Sequence, residues 1–256
     1  MNYKSLFRTA MLAGEIMAQS GAETYRVEDT MVRILKTSNC QAVEVYATTT
    51  GIVATLSDPS IESIAGVKRI TNRSNNLSRI NEVNQISRNI CDGKTTAEDA
   101  YTQLISCTSS KIYSNRILAL ATIISMAGFA GLFGGSLLDG AVAAVNGIFI
   151  VIIARLAENR INNTFLVDTA KSFAIAFITM LSVQFIKDTH SGIIIIGSIM
   201  PLVPGIPITN AIRDTLQGDY NSGTARAVEA FVISLGIALG VGIGMGLFNL
   251  IERMLL

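Results

Sequence analysis

From about residue 112 the chain becomes a succession of long, nearly uncharged apolar runs, and this restricts the fold more than any other feature. Five runs approach the ~20 residues a helix needs to cross a bilayer. They are Ile117–Gly135, Gly140–Leu156, Phe165–Ile186, Gly192–Ile208 and Ala227–Ile251. The fourth is interrupted: Pro201, Pro204, Gly205 and Pro207 follow the apolar stretch Gly192–Met200. Each proline removes a backbone N–H and crowds the preceding turn, so a regular helix cannot run through. Inside lipid, the freed carbonyls need protein or a water-lined cavity around them. A broken apolar segment is therefore a sequence-level pointer to a transport site. The reading is a helical membrane domain of about five spans, residues 112–256, built around the break from Pro201 to Asn210.

The preceding residues, 1–111, read as a cytoplasmic α+β domain. A helix runs to about Ala18 with Gly21 as its stop, and Ser20-Gly-Ala-Glu23 fits a capping box for a second helix over about 22–38. Val27, Met31, Ile34 and Leu35 share one face of it, and Asp29 and Arg33 are spaced for an ion pair. Alternation in Val43–Ala47 and Ile52–Leu56 around Thr50-Gly51 predicts a hairpin, and Val67–Thr71 a third strand. Asp58-Pro59 marks a turn. Helices follow from about Asn76 to Ile90 and after a second capping box, Thr95-Thr-Ala-Glu98.

Chemistry-bearing patterns are sparse. This region has no His, no GxSxG, no phosphate-cradling glycine loop and no spaced metal-ligand set, so catalytic, metal and cofactor roles are not expected. Cys40, Cys91 and Cys107 lack CxxC spacing and read as reduced thiols. A net charge of +1 without aromatic-basic interleaving gives no support for nucleic-acid binding. With 15% charged and 50% hydrophobic residues and a mean hydropathy of +0.46, the bilayer is the expected surrounding.

Lys and Arg orient the spans. Lys68, Arg69, Lys111 and Arg116 place the N-terminal region in the cytoplasm, the 136–139 loop outside, and Arg155 and Arg160 inside again. Lys187 and His190 would be outside and Arg213 and Arg226 inside. Gly192–Ile208 either spans or re-enters, and this decides the side of the C-terminus. Gly131 and Gly135, and the ladder Gly236, Gly240 and Gly244, offer faces for close helix packing.

Polar groups within the runs are the candidate pathway. Asp168 and Lys171 share a helical face; they either lie in the interfacial zone or face a polar path. Asn146 and Gln184 are neutral candidates for the same path, while Asp139 and His190 read as loop residues. After the prolines, Asn210–Asp219 starts like a short helix capped by Thr209 or Asn210. Its positive end and Arg213 suit a carboxylate; alternatively it is a loop helix with an Arg213–Asp214 surface pair.

Two stretches together resemble the threonine/serine exporter family. One is Ser20-Gly21-Ala-Glu23-Thr24-Tyr-Arg26-Val-Glu28-Asp-Thr-Met-Val-Arg33. The other is Pro201-Leu-Val-Pro204-Gly205-Ile-Pro207-Ile-Thr209-Asn210-Ala-Ile-Arg213-Asp214, followed by Gly218-Asp219 and Ser222-Gly223-Thr-Ala-Arg226. The resemblance implies a multi-pass protein of a bacterial inner membrane that exports small carboxylate metabolites by secondary transport. Threonine and serine would be the first cargoes and C4-dicarboxylates such as succinate the next. It also implies a cytoplasmic signature at Gly21, Glu23, Thr24, Arg26 and Glu28. The full family form carries a second, smaller hydrophobic half, so a separate membrane subunit and a homo- or hetero-oligomer are implied for this chain. A membrane-anchored sensor or assembly subunit is the rival reading, disfavoured because an anchor needs only plain helices.

Overall fold

In the computed structural model, residues 2–109, 113–158, 160–161 and 163–255 are described. The expected boundary at 111/112, and Lys111 with it, lies outside them. The helices are α1 (Tyr3–Gln19), α2 (Thr24–Lys36), α3 (Leu77–Cys91), α4 (Ala97–Ser109), α5 (Asn115–Leu132), α6 (Leu137–Ala157), α7 (Thr164–Phe185), α8 (Ser191–Ile199), α9 (Gly205–Leu216) and α10 (Tyr220–Leu255). The strands are β1 (Ala42–Ala47), β2 (Gly51–Asp58) and β3 (Ile61–Arg69), an antiparallel meander in the order β1-β2-β3.

The expected α+β N-terminal domain followed by a separate membrane domain is not what the chain forms. Helix accounts for 72% of the described residues, and the only sheet among them is this small meander. No distinct soluble N-terminal domain is present. Residues Met1–Ile112 close into one compact unit with Ile206–Val228, while Tyr113–Gly205 and Glu229–Leu256 form the other. The polar stretch after the prolines is folded into the first unit because its buried groups, Asn210 and Asp214, find their partners there.

The first unit is organised by α1, which packs on α2, α3 and α4 and on β2 and β3. Leu6, Ala10, Ala13 and Met17 form its buried stripe at helical spacing. At Gly14 a Cβ would lie 2.2 Å from Met31 Sδ, so glycine sets the distance between α1 and α2. In β2, Ile52, Ala54 and Leu56 point inward and Val53 outward, the period of a half-buried strand. The third strand starts six residues before the expected one, directly after the Asp58-Pro59 turn. Asp58 accepts hydrogen bonds from the Ser60 N–H and hydroxyl there, and β3 pairs back at once. The cap of α4 is also displaced by one residue: Thr96 and Asp99 bond reciprocally, not Thr95 and Glu98.

Among the described residues, four helices are long and apolar enough to cross a membrane, or five if the interrupted pair α8–α9 counts as one. Only between 11% and 33% of the apolar window of each long helix is buried inside the protein. Outward-facing Leu118, Ile124, Leu137, Phe149, Phe185, Leu239 and Ile243 suit lipid rather than water. Within the second unit α5, α6, α7 and α8 pack around Met126, Ala130, Ala143, Ile175 and Ile194. Gly197 brings α8 onto α5, where a Cβ would lie 2.6 Å from the Ala130 nitrogen. Gly240 and Gly244 of α10 meet the backbone of α7, with Thr169 O 2.3 Å and Phe173 O 2.7 Å from where a Cβ would sit. Gly131 meets nothing of this chain within 4 Å, so of the expected glycine pair Gly135 alone is tightly enclosed here.

Candidate functional site

The first of the two stretches that carry the resemblance and the part of the second from Asn210 to Arg226, about 190 residues further on, meet inside the first unit. Gly21 ends α1 in the left-handed region, at a φ of 83°, and turns the chain into α2. The start of α2 leaves backbone N–H groups without helical acceptors. Ser20 does not cap them: it is the C-terminal cap of α1, and the Glu23 side chain makes no cap bond. Asp214 of α9 supplies the missing acceptor. The Thr24 N–H donates to Asp214 Oδ1 at 3.1 Å, and the Thr24 hydroxyl to Oδ2 at 3.2 Å.

Asp214 is fully buried, and such a charge needs compensation. Arg226, near the start of α10, provides it, with Nε 2.9 Å from Asp214 Oδ2 and NH2 donating to the Ala22 carbonyl at 2.7 Å. Asn210 donates to the Gly21 carbonyl at 2.9 Å. Glu23, freed from capping, pairs with Arg213 of α9 and lies 3.6 Å from Arg26. Burial alone would raise the Glu23 carboxyl, but the bond from its own N–H and the Arg213 partner outweigh it and hold it below the usual glutamate range. Gly223 lets the start of α10 approach α9, since a Cβ there would lie 3.0 Å from the Ala211 carbonyl.

Glu28, one turn further along α2, accepts the Ala47 N–H at 2.8 Å. Burial raises its carboxyl, and the nearby Asp219 and Asp214 add to the rise. Of the expected signature residues, Gly21, Glu23 and Thr24 thus enter the network directly, Arg26 sits at its edge, and Glu28 lies beside it.

The proline stretch behaves unevenly. Pro201 lies within a 3₁₀ turn, Met200–Leu202. Val203 is extended, and Gly205 donates to the Val203 carbonyl at 2.8 Å, which makes Pro204 the centre of a tight turn and the break itself. Pro207 is the third residue of α9, where its missing N–H has no helical acceptor to lose. The helix therefore begins at Gly205, and the positive end expected at Thr209 or Asn210 is not there: both are inside α9. The Arg213–Asp214 surface pair is not formed either. Arg213 turns to Glu23 with its side chain 55% exposed, and Asp214 turns inward.

Within the second unit, Asp168 and Lys171 of α7 form a 3.0 Å ion pair, both side chains mostly buried. Asn146 of α6 is fully buried and donates to Thr179 Oγ1 of α7 and Ser198 Oγ of α8. Gln184 pairs with Glu252 instead of facing a path. Asp139 and His190 are not loop residues without a role. Asp139 is fully buried, closes a capping box with Ser136, and accepts from the His190 backbone N–H at 2.7 Å, tying the starts of α6 and α8 together. Sequence reasoning missed this pair because a cap residue and a helix start 51 positions apart carry no joint signal. No group of three His, Cys, Asp or Glu able to hold a metal occurs among the described residues.

A family model described as "Putative threonine/serine exporter" matches residues 8–248. The chain is 26% identical over 238 residues to a "Probable threonine/serine exporter" of Mycobacterium tuberculosis, covering 91% of this chain but 44% of that relative. It therefore spans less than half the length of that protein. It is 25% identical over 239 residues to a "Probable succinate transporter subunit YjjP" of Klebsiella aerogenes, covering 91% of this chain and 90% of that relative. No solved structure matches the chain.

Proposed function

We propose that this chain, which belongs to the threonine/serine exporter family, is one subunit of a secondary exporter of small carboxylate metabolites in a bacterial inner membrane. Threonine and serine are the first cargoes to test and C4-dicarboxylates such as succinate the next, following the names of the two relatives. A second, smaller membrane subunit would complete the exporter, in line with a relative of matching length being named a subunit. By the positive-inside rule, Lys68, Arg69 and Arg116 put the N-terminal end on the cytoplasmic side.

The observation that carries the mechanism is the Arg213–Glu23 pair directly downstream of the Pro204 break. Glu23 presents to Arg213 the carboxylate that a cargo would present. A cargo carboxylate binding to Arg213 competes with Glu23 and loosens the hold of α9 on the start of α2. Asp214, Arg226 and Asn210 keep α9 in register during the exchange, and Thr209 faces out from α9 near the break. Pro201, Pro204, Gly205 and Pro207 supply the interrupted backbone, and Asp168 with Lys171 forms the charge pair that gates or couples the movement.

Threonine, serine and succinate flux in proteoliposomes, with the partner subunit present, tests this. Pro204→Ala, Arg213→Ala and Asp168→Asn are each expected to reduce flux at least tenfold. Flux unchanged by all three overturns the assignment of these residues.

A further inference from the structure

The best-defined polar site inside the apolar unit is centred on Asn146. Its Nδ2 lies 2.9 Å from Thr179 Oγ1 and 3.0 Å from Ser198 Oγ, so three helices, α6, α7 and α8, each bring one neutral polar side chain to a common point. All three residues are fully buried. The other end of the carboxamide, Oδ1, has no hydrogen-bond partner among the described residues. A buried acceptor left unpaired is costly, and an apolar residue here would carry no such cost. On the same buried face of α7, Ser172 Oγ is likewise without a partner.

The surroundings select the charge of a ligand. α8 ends at Ile199, one residue past Ser198, so the carbonyl end of its dipole, partially negative, lies beside the cluster. Pro201 lacks the N–H that would close onto the Gly197 carbonyl four residues back, so the regular α-helical bond to that oxygen is not made next to Ser198. Interrupted helix ends with freed carbonyls are arrangements that hold monovalent cations in membrane proteins. The nearest carboxylate on α7, Asp168, is eleven residues before Thr179, roughly 16 Å along the helix, and is already paired with Lys171. With no acidic side chain in the cluster, a divalent ion is disfavoured.

We propose that Asn146, Thr179 and Ser198 form a binding site for a small monovalent cationic group, either an alkali ion or a primary ammonium. The two ends of the carboxamide have nearly the same shape. A half-turn of the Asn146 side chain sets Oδ1 beside the two hydroxyl oxygens and gives the cation three side-chain oxygens, with backbone carbonyls at the end of α8 as further ligands. An alkali ion here would be a coupling ion. An ammonium would belong to an amino-acid cargo, and both of these roles, unlike the binding itself, rest on the export reading above.

The test is thermal unfolding of the full chain in detergent at constant ionic strength, with N-methylglucamine chloride as reference and sodium, potassium or methylammonium chloride added. The expected result is a saturable rise of several degrees with at least one of the small cations, diminished in Ser198→Ala and in Thr179→Val. Asn146→Asp keeps the side-chain shape and adds negative charge, and is expected to enlarge the shift; a purely structural hydrogen bond would not produce that change. A response to sodium or potassium only assigns an alkali ion, one to methylammonium only assigns the ammonium, and one to both assigns a shared site. No cation-specific shift, or a shift that all three variants leave unchanged, overturns the proposal. Because transport is not read, an intact shift with no cargo flux separates this site from failure of the export reading.

Discussion

Asp214 serves two partners at once: the open N–H end of α2 and the guanidinium of Arg226. Removing its charge leaves Arg226 buried without a counter-ion, and breaking such a pair typically costs about 3–5 kcal/mol. Asp214→Asn is therefore expected to lower the unfolding temperature strongly, and Asp214→Asn with Arg226→Gln to recover part of the loss. Equal melting of the single variant and wild type would remove Asp214 from this role. Glu23 and Glu28 respond to pH in opposite senses. The Glu23 carboxyl is lowered in the fold, so its contribution is present above its ordinary value of 4.5 and is lost as pH falls through the lower folded value. Glu28 is raised, so its contribution is present below 4.5 and is lost as pH rises through the folded value. At neutral pH its charge opposes folding beside Asp214 and Asp219. Glu28→Gln keeps an acceptor for the Ala47 N–H and is expected to melt a few degrees higher at pH 7, with the gain disappearing in acid. A gain that is the same at both pH values would show that charge is not the cause.

Helix contacts in the second unit depend on which glycines face a neighbour. Gly240→Ala would place a methyl 2.3 Å from the Thr169 carbonyl, so α7 and α10 must separate, at a cost of about 1–3 kcal/mol. Gly242→Ala meets nothing within 4 Å and is expected to be neutral or slightly stabilising, since alanine favours helix. Melting of the two variants in detergent checks the difference, and equal losses would count against α7 as the partner of this face. At this scale the sequence was readable where period and length speak: the long apolar runs, the α2 stripe of Val27, Met31, Ile34 and Leu35, and the β1–β2 alternation all appear where the patterns put them. It misled where a local pattern had a distant competitor. Ser20-Gly-Ala-Glu23 has capping-box spacing, yet Asp214 takes the cap and Arg213 takes Glu23. Thr209 and Asn210 look like helix caps, yet Pro207 suits the first turn of a helix that has already begun at Gly205.

At the scale of the molecule, the residues on either side of the apolar runs are not independent. The hydrophobic core of the first unit, from Leu6 to Leu104, lies wholly within the first 112 residues. Several of its polar completions do not: Asp214 on the start of α2, Arg226 on the Ala22 carbonyl and Asn210 on the Gly21 carbonyl all come from Ile206–Val228. Reading in chain order missed this, because a soluble-looking segment and a polar stretch among apolar runs show no common periodicity. A fragment of residues 1–112 should therefore collapse around its core and form helix, but with the first turn of α2 frayed. Joining residues 206–228 to it through a flexible linker restores three sets of hydrogen bonds. For a unit of this size each 1 kcal/mol shifts the midpoint by roughly 3–4 °C, so a rise of that order or more is expected, with slower amide exchange at Thr24. Asp214→Asn in the joined fragment should remove most of the gain. If 1–112 alone melts as high and protects Thr24 as well as the joined form does, the N-terminal residues are self-sufficient and the shared unit is not an energetic one.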